Sequence, residues 1–179
     1  METLSPEPMN LLRVDFREIY ARHLCRHSQL GINVGHLAAL FGVWFGVYGA
    51  IYCLTRSPWA PVAMAGAYLL CVAPSLPLRV TCMVAVFLAV LVLALLRIPL
   101  LPIWAFWAYL ILIPLCYRFQ NWNHKVYNLE KDMTLFKQKY AKGRVLFVLL
   151  LFYEVPLLIN FLVFGRKDWA TSAAQAQSA

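Results

Sequence analysis

A chain of 179 residues that is 62% hydrophobic and only 13% charged, with a mean hydropathy of +0.66, is not an ordinary water-soluble domain. Such domains are about half apolar and about a quarter charged. The formal charge of +8 is concentrated before the first apolar segment and between Arg118 and Arg144, the pattern of cytoplasmic flanks in a membrane protein rather than of a nucleic-acid partner.

In chain order, residues 1–11 hold two prolines and no apolar periodicity, so a loose tail is expected, without the basic-then-apolar design of a cleaved signal. Leu11 to Cys25 reads as an amphipathic helix lying along the interface. Leu12, Phe16, Ile19 and Tyr20 share a stripe, and Arg13, Arg17 and Arg22 face away. Four apolar segments follow, at Ile32–Leu54, Trp59–Leu76, Val80–Leu96 and Leu100–Tyr117, each close to the ~20 residues that cross a hydrocarbon core. The prolines Pro58, Pro61, Pro74, Pro77 and Pro99 punctuate their ends.

The long polar stretch from Arg118 to Arg144 carries Val126, Leu129, Met133 and Phe136 at helical spacing, which predicts a surface helix. Gly143 is a hinge into a fifth apolar segment, Val145–Phe164, which spans or is re-entrant around Pro156. The expected fold is all-α and integral to the membrane, a single-domain bundle of about five apolar segments. Residues 1–29 form the tail and interfacial helix, 30–117 the four-span core, 118–144 a cytoplasmic helix, 145–164 the fifth segment and 165–179 a tail. Four arginines precede the first span and seven Lys/Arg lie from Arg118 to Arg144, so an even number of spans puts the N-terminus and 118–144 in the cytoplasm. The fifth segment then leaves toward the opposite side. Five scattered cysteines (Cys25, Cys53, Cys71, Cys82, Cys116) form no C-x-x-C pair and are expected to be small buried hydrophobes.

The residues able to carry chemistry are few. His23 and His27 are four apart and share a helix face, whereas a continuous helix would turn His36 away. A break at Leu30-Gly31 would bring the three together. His124 follows the fourth segment, on the same side of the membrane after four crossings. Neutral imidazole is a common ligand of iron, zinc and copper, so the set reads as a metal site, with Asp15, Glu18, Asn33, Asn121 and Asn123 as candidate supporting groups. Glu154 stands in the middle of the fifth segment, where a carboxyl needs a cavity or a partner. Pro156 leaves the Phe152 carbonyl without an amide, and His124, Asn123 and the tyrosines near the first span are candidate partners for the two groups. Gly42 and Gly46 form a G-x-x-x-G pair suited to close helix contact.

Tyr20, His27, Asn33 and His36 before the first span, with Gln120, His124 and Glu130 after the fourth, resemble the motifs of a family of small membrane proteins related to fungal 2-hydroxy fatty acid dioxygenase. The pattern differs in detail: Asn123 stands where the family has glycine, Glu130 lies further from His124, and His23 has no counterpart. The resemblance implies an Fe(II)-dependent oxygenase that uses molecular oxygen to shorten a 2-hydroxy fatty acid by one carbon. The metal ligands would then be His23, His27, His36 and His124, with Glu154 and Asn33 assisting catalysis and Arg22, Arg26 and Lys125 holding the substrate carboxylate. Two other classes fit the same residues: a bis-histidine haem or quinone protein, and a non-catalytic membrane subunit whose histidines serve an interface. Acyl length and oligomeric state are not encoded in any motif.

Overall fold

The computed structural model describes residues 14–98, 102–127 and 144–165, with the side chains of Cys25, Arg26 and 144–151 outside that description. Every described element is helical: α1 (Phe16–Arg26), α2 (Leu30–Thr55), α3 (Trp59–Val72) with a 3₁₀ turn at Ala73–Ser75, α4 (Leu78–Arg97), α5 (Ala105–Tyr127) and α6 (Arg144–Ile159), which widens into a π turn at Asn160–Phe164. Two of these, α2 with 26 residues and α4 with 20, are long and apolar enough to cross a membrane.

Local chemistry sets the boundaries. Asp15 caps α1 by accepting from the amides of Arg17 at 2.9 Å and Glu18 at 3.4 Å. The helix stops at His27, whose amide bonds back to the His23 carbonyl, and α2 starts three residues later. The break therefore falls at His27–Gln29, just before the expected Leu30-Gly31 junction. At the far end of α2, Arg56 closes the helix in the left-handed conformation, φ 56°. Pro58 and Pro77 stand immediately before α3 and α4, where a missing amide costs nothing. The amphipathic reading of α1 holds where it is described: Phe16 and Ile19 are buried and Arg17 is exposed. Leu12 and Arg13, the 128–143 part of the expected surface helix, Glu130 and the tail from Arg166 lie outside the described residues.

The helix α5 packs along the length of α2, antiparallel to it. Close approach is possible because α2 offers glycines to this seam: a Cβ on Gly46 would sit 2.8 Å from the Tyr109 carbonyl oxygen, and one on Gly35 would run into Nδ2 of Asn123. The helix α4 crosses the opposite side of α2, where the rings of Phe41 and Phe87 meet edge to face at 5.9 Å. Tyr48, Val72, Val80, Val84, Leu91, Leu95, Tyr153, Leu157 and Leu158 form the fully enclosed core between these helices.

The direction of α6 differs from the one expected. Its residue Phe152 packs on Tyr68 of α3, which in turn packs on Trp44 midway along α2. Its end, Phe164, lies under the Arg79 guanidinium at the start of α4, level with the N-terminal part of α2. The helix therefore runs toward the end of the bundle that carries the histidines, parallel to α5 instead of back from it. The start of α1 is at this end too, where the Val14 amide bonds to Oγ of Ser75 at 3.2 Å.

The carbonyl freed by Pro156 does find a hydroxyl. Oη of Tyr68 donates to the Phe152 oxygen at 2.8 Å, so the partner comes from α3 and not from the groups expected near the first span. The obstacle facing a Gly46 side chain is rigid backbone, so Gly46→Ala should force α2 and α5 apart and destabilise the fold by about 1–3 kcal/mol. Unfolding of the detergent-solubilised variant reads this, and an unchanged midpoint would show that the seam is looser than the geometry states.

Candidate metal centre

Three of the four histidines converge. One ligand nitrogen from each of His27, His36 and His124 falls within 4.8 Å of the others. Their ring centroids are 4.7 Å apart for His27 and His36, 5.1 Å for His27 and His124, and 4.5 Å for His36 and His124. His36 is fully enclosed and His27 nearly so. The three come from the end of α1, the second turn of α2 and the last turn of α5, so 88 residues separate the closest pair.

His36 is the fixed member. Its Nδ1 lies 2.9 Å from the Ile32 carbonyl one turn earlier, a contact that requires the proton on Nδ1 and leaves Nε2 as a lone pair. That lone pair faces Nε2 of His124 at 2.9 Å. Two imidazole nitrogens that share one ion at about 2.1 Å each, at a right angle, lie about 3 Å apart. The three nitrogens could therefore hold a metal ion, with one ring, His36, whose opposite nitrogen is already held by a carbonyl.

His23 is placed beside this group and not in it. Its ring stacks on His27 at 4.4 Å between centroids, and its Nε2 is 2.8 Å from Oδ1 of Asn33. Asn33 is fully buried and ties the break between α1 and α2 with its amide, donating from Nδ2 to the carbonyls of His27 at 2.8 Å and Gln29 at 2.7 Å. Both of its polar atoms are engaged in fixing the loop that carries His27. Asn33 thus sits where it fixes the loop that carries His27, and His23 lies outside the three-histidine group.

Glu154 reaches the centre from α6. Its Oε1 lies 3.9 Å from Nε2 of His36 and accepts from Nε2 of Gln120 at 2.9 Å. The expectation that this carboxyl turns inward is met, since its side chain is 14% exposed. Gln120 belongs to the second motif quoted above, but nothing in the sequence pairs it with Glu154. Only the direction of α6 brings them together.

The expected substrate cations are not gathered at the centre. Arg22 pairs with Glu18 within α1, Lys125 is exposed at the end of α5, and the side chain of Arg26 lies outside the described residues. Asn123 is buried against Gly35, and its Nδ2 makes no hydrogen bond among the described residues. His124 itself is on α5, because the fourth helix continues ten residues past Tyr117 to Tyr127. No family model, curated protein or solved structure matches this chain. An all-helical chain with two helices able to cross a membrane and a three-histidine cluster is the class that fold and site define.

Alanine at His27, His36 or His124 should each weaken metal binding by at least ~100-fold. His23→Ala should cost about ten-fold or less, as expected for a group outside the coordination sphere. Metal analysis of purified variants checks this, and full metal retention by any of the three would remove that residue from the centre. Glu154→Gln preserves an acceptor for Gln120, whereas Glu154→Leu should destabilise by about 1–3 kcal/mol, because it strips the Gln120 amide of its partner. A Leu variant as stable and as metal-loaded as the parent would make Glu154 dispensable.

Proposed function

We propose that this chain is a membrane-embedded metalloenzyme in which His27, His36 and His124 hold one ion, with Glu154 alongside. The observation that carries this reading is the convergence of two buried imidazoles, His27 and His36, and the half-buried His124, from separate helices, on one point. A bundle that needed histidine only for packing would have no reason to bring a ring nitrogen from each of three helical segments within 4.8 Å of the others. Three imidazoles and a neighbouring carboxylate are a donor set at home with Fe(II), the ion that the family resemblance implies, although other first-row ions accept the same donors. When bound, Fe(II) in such surroundings supplies open positions for molecular oxygen and a chelating substrate.

The protein's own residues would do the rest. The Ile32 carbonyl keeps His36 in the tautomer that offers Nε2, and Asn33 holds the loop bearing His27. Gln120 orients the Glu154 carboxylate toward His36. Burial of His27 and His36 keeps bulk water from two of the three rings. The substrate class we assign is a fatty acyl lipid, in the specific case a 2-hydroxy fatty acid shortened by one carbon. The exposed leucines, valines and tryptophans on α3, α4 and α5 (Leu70, Leu78, Leu93, Trp104, Trp107) form an outer surface suited to hydrocarbon. In this reading α2 to α5 make four crossings, and the histidine end faces the cytoplasm with Lys125, the cation next to His124 in sequence, available to a carboxylate.

A bis-imidazole haem is favoured less, because a macrocycle must fit between two facing rings and here a third imidazole stands against both. The deciding experiment incubates Fe(II)-loaded protein in lipid nanodiscs with a 2-hydroxy fatty acid and oxygen. Oxygen uptake with formation of the acid one carbon shorter is expected, lost in His36→Ala. Absence of both products from metal-replete protein would overturn the lipid-oxygenase reading, and absence of any bound metal would return the chain to the scaffold class.

A further inference from the structure

A second feature lies on another side of α2. Residues at positions 34, 37, 38 and 41 recur at helical spacing and form a stripe roughly half a turn away from the side that carries His36 toward α5. Against this stripe stand α4 and the end of α6, and between them is an open groove of about 490 Å³. Its walls include Leu37, Phe41, Met83, Phe87, Ile159 and Val163, with no charged residue among them. The π turn at Asn160–Phe164 shapes one wall, since the wider turn displaces Leu162 and Val163 from the positions an α-helix would give them.

The groove ends at a cation. Arg79 opens α4, and its guanidinium lies over the Phe164 ring at 4.8 Å, one residue beyond Val163 of the groove wall. Among the described residues, Arg79 takes part in no ion pair. It also stands in the first turn of a 20-residue helix, where the macrodipole is already positive. A base is unfavourable there unless an anion joins it. A stacked guanidinium keeps its N–H edge available for a phosphate.

We propose that this groove is a binding site for an anionic membrane phospholipid, one acyl chain lying between α2, α4 and the π turn and the phosphate on Arg79. The site is separate from the histidine centre and does not depend on the function assigned to it. An apolar groove with a cation that forms no ion pair among the described residues beside its Val163 wall matches an amphiphile with a negative head, and a purely apolar partner would leave Arg79 unanswered. A lipid seated here would brace α6 against α2 and α4, the packing that delivers Glu154.

The test uses the full chain in phosphatidylcholine nanodiscs containing phosphatidylglycerol with a photoactivatable acyl chain, and adducts are mapped by mass spectrometry. Adducts should concentrate on the groove walls and fall several-fold in Val86→Trp, which narrows the channel from a half-exposed position on α4. In Arg79→Gln, labelling by the phosphatidylglycerol probe should drop to the level given by a phosphatidylcholine probe. Bound metal should be unchanged in both variants. Competition in the unaltered protein needs no substitution: unlabelled phosphatidylglycerol should remove the groove adducts and phosphatidylcholine should not. Adducts spread evenly around the hydrophobic belt, equal labelling by the two probes, or crosslinks between two copies of the chain through this groove would each overturn the proposal.

Discussion

The distance between α2 and α5 governs the rest of this molecule. His36 and His124 are separated by 88 residues, and their nitrogens meet at 2.9 Å only because the two helix backbones come close enough for a glycine on one to touch a carbonyl on the other. In hydrocarbon there is no hydrophobic gain from joining two apolar helices, so packing and polar contacts must hold them. The seam supplies both. Gly46 against Tyr109 gives backbone-to-backbone proximity, and at the histidine end the imidazoles and Asn123 give a polar terminus to an otherwise apolar interface.

Every buried polar group near the centre then becomes a constraint on its neighbours. An unsatisfied donor or acceptor in so apolar a setting costs about 1–3 kcal/mol, and the structure answers this by linking groups from different helices. His23 is matched by Asn33, Asn33 by two loop carbonyls, and His36 by the carbonyl one turn behind it. Gln120 is matched by Glu154, and the carbonyl that Pro156 releases is matched by Tyr68. The chain break between α1 and α2, the reach of α5 past Tyr117 and the docking of α6 are held by these bonds as much as by the apolar core.

How far the sequence could be read follows from which of these constraints are local. Helix positions were legible because apolar periodicity, proline punctuation and the Asp15 cap act within a few residues. The joint placement of His27, His36 and His124 was legible from the number of helices between them, since an even number returns the chain to the same end. The inward turn of Glu154 was legible from the cost of a carboxyl in an apolar helix. What escaped depends on tertiary choice. Spacing alone cannot tell that His23 bonds to Asn33 instead of facing the centre, or that Tyr68 of α3 captures the Phe152 carbonyl. The basic residues were read as one cytoplasmic block, and that reading gave α6 the wrong direction.

That direction has a further consequence for the centre. Had α6 run away from the histidine end, Glu154, eleven residues from its start, would still have stood near mid-depth. Pro156 and the π turn would then have lain beyond it, far from α1. Running toward the histidines, the helix instead brings its irregular part, Pro156 to Phe164, to the level of α1, His36 and Arg79. Breaks in the regular bonding of a helix are tolerated in an apolar bundle only where neighbouring groups take up the freed carbonyls. The Phe152 carbonyl is taken up in this way by Tyr68 of α3. The π turn shapes the groove beside α2 and α4, and the direction of the same helix brings the Glu154 carboxylate to 3.9 Å from His36, so the site and the groove both depend on how α6 is docked.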